Sequence, residues 1–325
     1  MTILITGLGY IGARLAEDLL EQGESVVAVE NFFCTPRPAL TRLVQRPRMR
    51  LIRGSINRPE TLRKAFALAP FRAVVHLAAQ PSAHPDAASA RYTEITNLVG
   101  ARLTFEAALE AGVEVVVLGS SFKVYGDQLP GFVGENQPYG PVNDLAHLSK
   151  IYAEKLAEMM AATRGLRCVA VRLGITHGLG PIMKTDPRFM TVPNRFCQLA
   201  AEGKALTIHS SATRPAGFIH VEDASSALQA ALAASWPEPY RAVNAVGECA
   251  SVGEVAELVR AAAESRGLPC EVSGPRSARA QHVAVETSLP KSLFRPRRQL
   301  SESVGEVLDY FIAKARRPAA HRRPL

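Results

Sequence analysis

Three glycines fall within six residues in Gly7-Leu8-Gly9-Tyr10-Ile11-Gly12, directly after the apolar run Thr2–Thr6. A G-x-G-x-x-G that joins a strand to a helix is an arrangement for holding a dinucleotide pyrophosphate. Gly7 permits the tight turn, Gly9 lets the main chain approach the phosphates, and Gly12 lets the helix pack closely on the strand. The helix start adds unpaired N–H groups and the positive end of its dipole. The next apolar run, Ser25–Glu30, ends on Glu30-Asn31. A carboxylate there accepts hydrogen bonds from ribose hydroxyls and repels a 2′-phosphate, so NAD is expected in preference to NADP.

Other kinds of chemistry find little support. The five cysteines (Cys34, Cys168, Cys197, Cys249 and Cys270) are scattered, with no C-x-x-C spacing, so neither a metal site nor a disulfide framework is expected. The net charge is +8, but Lys314, Arg316, Arg317, Arg322 and Arg323 crowd a Pro- and Ala-rich end that reads as a solvated tail. A diphosphate ligand accounts for some of the remaining cations, and nucleic acid is not expected as a partner. No apolar run approaches the roughly 20 residues that span a bilayer. With the first strand beginning at Thr2, no leader is expected, and the chain reads as cytoplasmic.

The elements that must position the glycine turn and Glu30 follow from periodicity. Apolar runs at Thr2–Thr6, Ser25–Glu30, Arg50–Arg53, Ala73–Leu77, Val113–Leu118 and Cys168–Leu173 read as strands. Helical stretches at Ala13–Glu21, Ala87–Ala111 and Leu145–Thr163 separate several of them. Strand–helix alternation of this kind predicts an α/β fold, a Rossmann doubly wound parallel sheet. The texture then changes. Gly178–Pro193 reads as loop, Asn194–Glu202 as helix, and Phe218–Val221 as a strand returning to the sheet. Glu222–Ala234 and Val252–Arg266 have helical spacing, and Ser288–Phe294 with Glu302–Lys314 completes a smaller part. The expected division is a cofactor-binding domain of residues 1–174 plus about 215–245. A smaller discontinuous α/β substrate-binding domain takes about 175–214 plus 246–315, and 316–325 form a basic tail.

Several short motifs add to this pattern. His76-Leu77-Ala78-Ala79-Gln80 is similar to an H-x-A-A segment, and Asn97 stands in Asn97-Leu98-Val99-Gly100. Ser120-Ser121-Phe122-Lys123-Val124-Tyr125-Gly126 is similar to an S-S-x-x-V-Y-G block. With the glycine turn, these residues make the chain resemble the extended short-chain dehydrogenase/reductases, in their NAD-dependent epimerase/dehydratase group, over nearly its whole length. Pro193-Asn194-Arg195-Phe196-Cys197, His147-Leu148-Ser149-Lys150 and Pro275-Arg276 with His282 are similar to the sulfoquinovose-synthase-like branch. Pro81 departs from that branch, where arginine is expected, and this argues against sulfite chemistry.

The resemblance implies that Leu77, Ala78, Ala79, Gln80 and Asn97 lie along the cofactor. It places Ser55 and Ile56 near the adenine, although the usual aspartate is replaced by Ser55. It implies a Tyr-x-x-x-Lys pair facing the nicotinamide, because an i, i+4 spacing shares one helix face. Lys150 matches the lysine, which also hydrogen-bonds the nicotinamide ribose, and Ser121 matches the catalytic Ser/Thr. Four residues before Lys150 stands Ala146, which has no proton to move. Ala146 is open to three readings: a register error, a natural pseudoenzyme or one using another base such as His147, and an engineered Tyr→Ala change. On the substrate side Asn194, Arg214 and Arg276 are candidates for a nucleotide diphosphate, while His220 reads as structural. The resemblance implies a nucleotide-sugar epimerase or dehydratase acting through transient oxidation of a sugar carbon. A net oxidoreductase or decarboxylase, and a non-catalytic NAD or nucleotide sensor, remain as alternatives. A homodimer through the helices at Ala87–Ala111 and Leu145–Thr163 is expected.

Overall fold

The computed structural model describes residues 1–209, 214–275 and 282–316. Its first half runs β1 (Thr2–Thr6), α1 (Tyr10–Glu21), β2 (Ser25–Glu30), α2 (Thr41–Val44), β3 (Met49–Arg53), α3 (Pro59–Phe66) and β4 (Ala73–His76). Then come α4 (Ala90–Glu94), a π-helical turn over Ile95–Val99, α5 (Gly100–Glu110), β5 (Val115–Ser121), β6 (Phe132–Val133), α6 (Leu145–Arg164) and β7 (Cys168–Leu173). The second half runs β8 (Ile175–His177), α7 (Val192–Ala201), β9 (Leu206–Thr207), β10 (Pro215–His220), α8 (Val221–Ala233) and β11 (Tyr240–Ala245). It ends with β12 (Glu248–Ser251), α9 (Val252–Glu264), β13 (Val272–Ser273), β14 (Ala284–Val285) and α10 (Leu300–Ala315).

The main sheet has seven strands in the order β11-β7-β5-β4-β1-β2-β3, and every pairing in it is parallel. A parallel sheet is covered on both faces, which is why its strands read as unbroken apolar runs. Alternate side chains divide between two cores. Ile3, Ile5, Val26 and Ala28 pack with Leu15 and Leu19 of α1 and Leu228 of α8. Leu4, Val27, Val74 and Val116 pack with Phe105 of α5 and Met160 of α6 on the other face. A third core joins Phe196 and Cys197 of α7, Val255 and Val259 of α9, and Val304 and Leu308 of α10 around Phe218.

Three features differ from the sequence expectation. Phe218–Val221 does not return to the main sheet: β10 pairs parallel with β8 and antiparallel with β12 in a separate three-stranded sheet. The place beside β7 is taken by β11, in register from Tyr240↔Cys168 to Ala245↔Leu173. Gly174 follows β7, and a Cβ there would lie 2.9 Å from the Gly217 carbonyl oxygen, so only glycine lets the two sheets approach at that bend. The expected stretch 215–245 is therefore split, with β10 in the small sheet and β11 in the large one. Second, α3 went unread, because eight residues opening on Pro59 give too short a period to register. Third, the expected long helix from Ala87 begins at Ala90, capped by the Ser89 hydroxyl, and is interrupted by the π turn. Ser288–Phe294 is irregular, and Leu293 and Phe294 N–H both turn back to the Pro290 carbonyl. Of the predicted tail, 317–325 lie outside the described residues. No described helix is long and apolar enough to cross a membrane.

One buried ion pair locks α6 to the main sheet. Arg172 of β7 donates from Nη2 to Glu154 of α6 at 2.7 Å, with side-chain exposures of 5% and 0%. The same guanidinium donates to the Tyr125 hydroxyl (2.6 Å) and the Glu135 carbonyl (2.8 Å). Glu154 also accepts from Ser120 Oγ at the end of β5 and from Tyr139 OH (3.1 Å). Removing one partner strands the other charge in the core, at a cost of about 3–5 kcal/mol. Arg172→Met should lower the urea unfolding free energy by about that amount, and Arg172→Met with Glu154→Met should recover part of the loss. A single variant within about 1 kcal/mol of the parent would show that the pair does not hold the fold.

Candidate active site

A cavity of about 620 Å³ opens beyond the carboxyl ends of the parallel strands. Its floor comes from the turns after β1, β2, β4, β5 and β7, the place where open parallel sheets bind ligands. The opposite wall comes from Thr191 and Val192 at the start of α7, from Arg214 to Gly217, and from Val252.

At one end the glycine turn has the geometry its spacing implies. Gly7 has φ +86° and packs on the backbone of Ala78, where a Cβ would sit 2.8 Å from Cα. A Cβ on Gly12 would lie 2.0 Å from the Gly7 carbonyl oxygen, so the first turn of α1 closes only with glycine. Gly9 has just the Thr35 hydroxyl within 4 Å of its would-be Cβ and caps α1 with no side-chain bond. The N–H groups of that first turn are thus left for a ligand.

Glu30 is 6% exposed at the end of β2, yet its carboxylate reaches the cavity. It accepts from Leu8 N (2.7 Å) and Phe32 N (2.6 Å). Burial pushes its carboxyl above the usual range, and the backbone amides of Phe32, Leu8 and Asn31 oppose the rise. These N–H groups use only part of a carboxylate's accepting capacity, so hydroxyls can still be bound. Asn31 also lines the cavity and donates to Tyr92 OH at 3.1 Å. Ile11, Ser55, Ile56, Leu77, Ala78 and Ala79 line it as well.

Gln80, Asn97 and Asn194 do not line the cavity, contrary to expectation. Asn97 accepts from Gln80 N (2.7 Å) and donates to Gln80 O (2.9 Å) and Ser149 Oγ (2.8 Å), so its carboxamide is spent tying β4, the π turn and α6 together. Asn194 accepts from Gly178 N (3.2 Å) and donates to Gly178 O (3.3 Å) and Tyr10 OH (3.4 Å), so both of its N–H groups are engaged within the protein. Tyr10 touches the cavity, but its hydroxyl turns away to donate to Gly178 O at 2.5 Å. Arg214 is exposed at the cavity wall, and Arg276 lies outside the described residues. His220 accepts from Glu222 N (3.2 Å) and caps α8, a structural place.

The other end gathers the groups suited to proton chemistry. Ser121 ends β5, and its Oγ accepts from Lys123 N at 3.2 Å. Lys150 of α6 reaches the cavity and donates to the Gly119 carbonyl at 2.7 Å. Burial pulls its ammonium down to about 8, against the raising charge of Glu154. Ala146 puts a methyl group, 4% exposed, into the same wall. His147 lines the cavity too, although neighbours on a helix diverge by about 100°. The cavity wraps the first turn of α6, so both directions meet it.

Sequence reasoning missed Asp144. It caps α6 by accepting from His147 N (2.9 Å) with Oδ1, while Oδ2 lies 2.6 Å from His147 Nδ1. Partial burial raises the Asp144 carboxyl, but His147 outweighs this and holds it below the usual carboxylate range. With Nδ1 engaged, Nε2 is the nitrogen left to face a ligand. The signal was an Asp three residues before a histidine at a helix start, a capping spacing. Lys123, paired with Asp127, and the stacked rings of Phe33 and Tyr92 (4.2 Å) were missed as well. Single polar and aromatic residues in loops carry no period.

Comparison with known proteins finds relatives along nearly the whole chain. The chain is 24% identical over 324 residues to the low-salt glycan biosynthesis protein Agl12 of Haloferax volcanii, covering 96% of this chain and 99% of that one. It is 25% identical to the UDP-sulfoquinovose synthase of Sulfolobus acidocaldarius, covering 94% and 91%. Its fold superposes on the UDP-glucose 4-epimerase of Thermotoga maritima with TM-score 0.81 at 22% identity, covering 97% and 100%. MoeE5, solved in complex with UDP-glucose and NAD, gives TM-score 0.76 at 25% identity, covering 97% and 99%. The model of the NAD dependent epimerase/dehydratase family matches residues 3–245, a span that holds the glycine turn, Glu30, Ser121 and Lys150, and the chain belongs to that family.

Proposed function

We propose that this chain binds NAD and a nucleotide sugar in the one cavity and belongs to the epimerases or dehydratases that oxidise a sugar carbon transiently. The observation that carries the reading is that the glycine turn with Glu30 and the Ser121–Lys150 pair open into the same space. When bound, NAD supplies the acceptor of two electrons from the sugar. Gly7, Gly9 and Gly12 make room for its diphosphate, and Glu30 takes the adenosine ribose hydroxyls. Lys150 orients the nicotinamide ribose, and Ser121 holds the reacting sugar oxygen in place. UDP sugars are the substrate class most in keeping with the names of the relatives. Arg214 and Arg276 are proposed to meet the sugar nucleotide's diphosphate by forked hydrogen bonds.

Ala146 leaves this site without the usual proton carrier. Such a gap costs on the order of 10²–10⁴ in rate while binding survives. Ala146→Tyr should raise turnover by at least about a hundredfold with little change in NAD affinity. The Asp144–His147 pair favours a second reading, in which His147 Nε2 moves the proton. Brisk turnover by the alanine-bearing chain, lost on His147→Ala, would replace the first reading with the second. Binding of NAD and UDP-glucose with no turnover in either chain would favour a sensor.

NAD(H) should bind more tightly than NADP(H), because the Glu30 carboxylate repels a 2′-phosphate. Calorimetric titration of both cofactors checks this: equal or tighter NADP(H) binding would refute it, and Glu30→Ala should narrow the gap.

The assembly is proposed to be a homodimer across α4–α6. Leu148, Tyr152 and Met159 form an apolar stripe along α6 at 51%, 36% and 48% exposure, with Val99 beside it at 37%. Residues spaced i, i+4 and i+11 share a helix face, which suits an isologous pairing. Sedimentation should give a dimer at micromolar concentration and a monomer for Leu148→Glu. A parent chain that sediments as a monomer rules the pairing out.

A further inference from the structure

Lys184 is the group in the cavity that the proposed chemistry leaves without a task. It lines the cavity, half-buried, in the segment between β8 and α7. Among the described residues it has no carboxylate or hydrogen-bond partner. The cavity's other lysines are both engaged, Lys123 with Asp127 and Lys150 with the Gly119 carbonyl. Desolvation lowers its ammonium's affinity for a proton, and nothing nearby but the Cys34 thiol works against that. A cation held out of water without a counter-charge is costly unless a ligand supplies the charge.

The segment's path brings this cation to the glycine turn. Tyr10, the first residue of α1, donates to the Gly178 carbonyl. The Tyr10 ring lies 2.9 Å from where a Cβ on Gly180 would be, so the strap runs flat across the start of α1. Ile182 then enters the same core as Leu8 and Ala13. Lys184 follows two residues later. It interacts with Cys34, whose neighbour Thr35 is the one side chain within 4 Å of the Gly9 Cβ position. The far end of the strap is tied down as well. Phe189 meets the edge of Phe33 at 5.9 Å, and Arg188 donates to the Asp86 carbonyl at 3.1 Å.

We propose that Lys184 is a diphosphate clamp: it reaches over the cavity and pairs with the dinucleotide's diphosphate on the side opposite the N–H groups of α1. The proposal rests on the reading of the cavity as a dinucleotide site and adds a binding residue that neither the glycine motif nor Glu30 supplies. The diphosphate is then gripped between a helix dipole and a lysine point charge. The lysine arrives on a strap fastened at both ends, which also covers the ligand.

Titration calorimetry with ADP-ribose, NAD and adenosine, on the parent chain, Lys184→Met and Lys184→Arg, tests it. Lys184→Met keeps the aliphatic stem and removes the charge. It should weaken ADP-ribose and NAD by about tenfold or more, flatten the salt dependence of both, and leave adenosine unchanged. Lys184→Arg should restore most of the loss. ADP-ribose bound by Lys184→Met as tightly as by the parent would overturn the clamp. So would an equal loss for adenosine, which would mean that the strap had collapsed. A parent chain that binds neither ADP-ribose nor NAD would instead bring down the dinucleotide reading, and the clamp with it.

Discussion

The buried Glu154–Arg172 pair is the constraint on which the rest of the site depends. A carboxylate with no exposure must be fully satisfied, and Glu154 is met by Arg172, Ser120 and Tyr139 together. Those partners stand on β7, at the end of β5 and in the loop before α6, so a single side chain sets the height of α6 against the two strands. Lys150 lies one turn earlier on α6, and this height lets its ammonium reach the Gly119 carbonyl on β5. Ala146 and His147 lie one further turn back, at the cavity. Asn97 fixes the same helix from its other side through Ser149. The alignment of α6 and the sheet is thus written in polar groups packed mostly away from the cavity, Ser120 alone among them lining it.

The cofactor end is governed by excluded volume rather than charge. Gly7 and Gly12 are required because backbone occupies the space a Cβ would take, whereas Gly9 faces open cavity. Electrostatics enters through what is left unpaired. The α1 start lacks a side-chain cap, and Lys184 lacks a counter-ion among the described residues. An uncapped helix N-terminus and an uncompensated cation both gain from an anion, and the strap carries them into the same region of the cavity.

Much of this was legible in the sequence, for a physical reason. Strands buried on both faces must be apolar throughout, so β1, β2, β4, β5 and β7 announced themselves, and the glycine turn is dictated by local sterics. The strand β11 did not, because Tyr240-Arg241-Ala242-Val243-Asn244-Ala245 mixes polar residues whose partners are distant in sequence. Arg241 donates to Ser288 and Asn244 to the Glu286 carbonyl, contacts that no period reveals. Motif-based placement of Gln80, Asn97 and Asn194 identified the right neighbourhood but not the direction of the side chains. Each of these amides is engaged by main chain and neighbouring hydroxyls, which depends on the tertiary path. Asp144 and Lys184 were invisible for the converse reason, since their meaning lies in what surrounds them.

Ala146 sits in a site that keeps the conditions for charge chemistry while lacking its usual carrier. Lys150 remains buried, with its ammonium pulled down to about 8, so it is charged below that pH and loses its proton above it. Beside a tyrosine, such a cation would favour the phenolate. Beside the Ala146 methyl group, it donates to the Gly119 carbonyl and feels the charge of Glu154. An apolar methyl also cannot relay a proton through itself, so any transfer must go through solvent or through a neighbouring base. The Asp144–His147 pair is the titratable pair next to Ala146 on the cavity wall. Its carboxylate both caps the helix and occupies Nδ1, so the geometry that starts α6 also aims the remaining imidazole nitrogen. Around Ala146 the cavity therefore keeps titratable groups, with Lys150 one turn along α6 and the Asp144–His147 pair at its start.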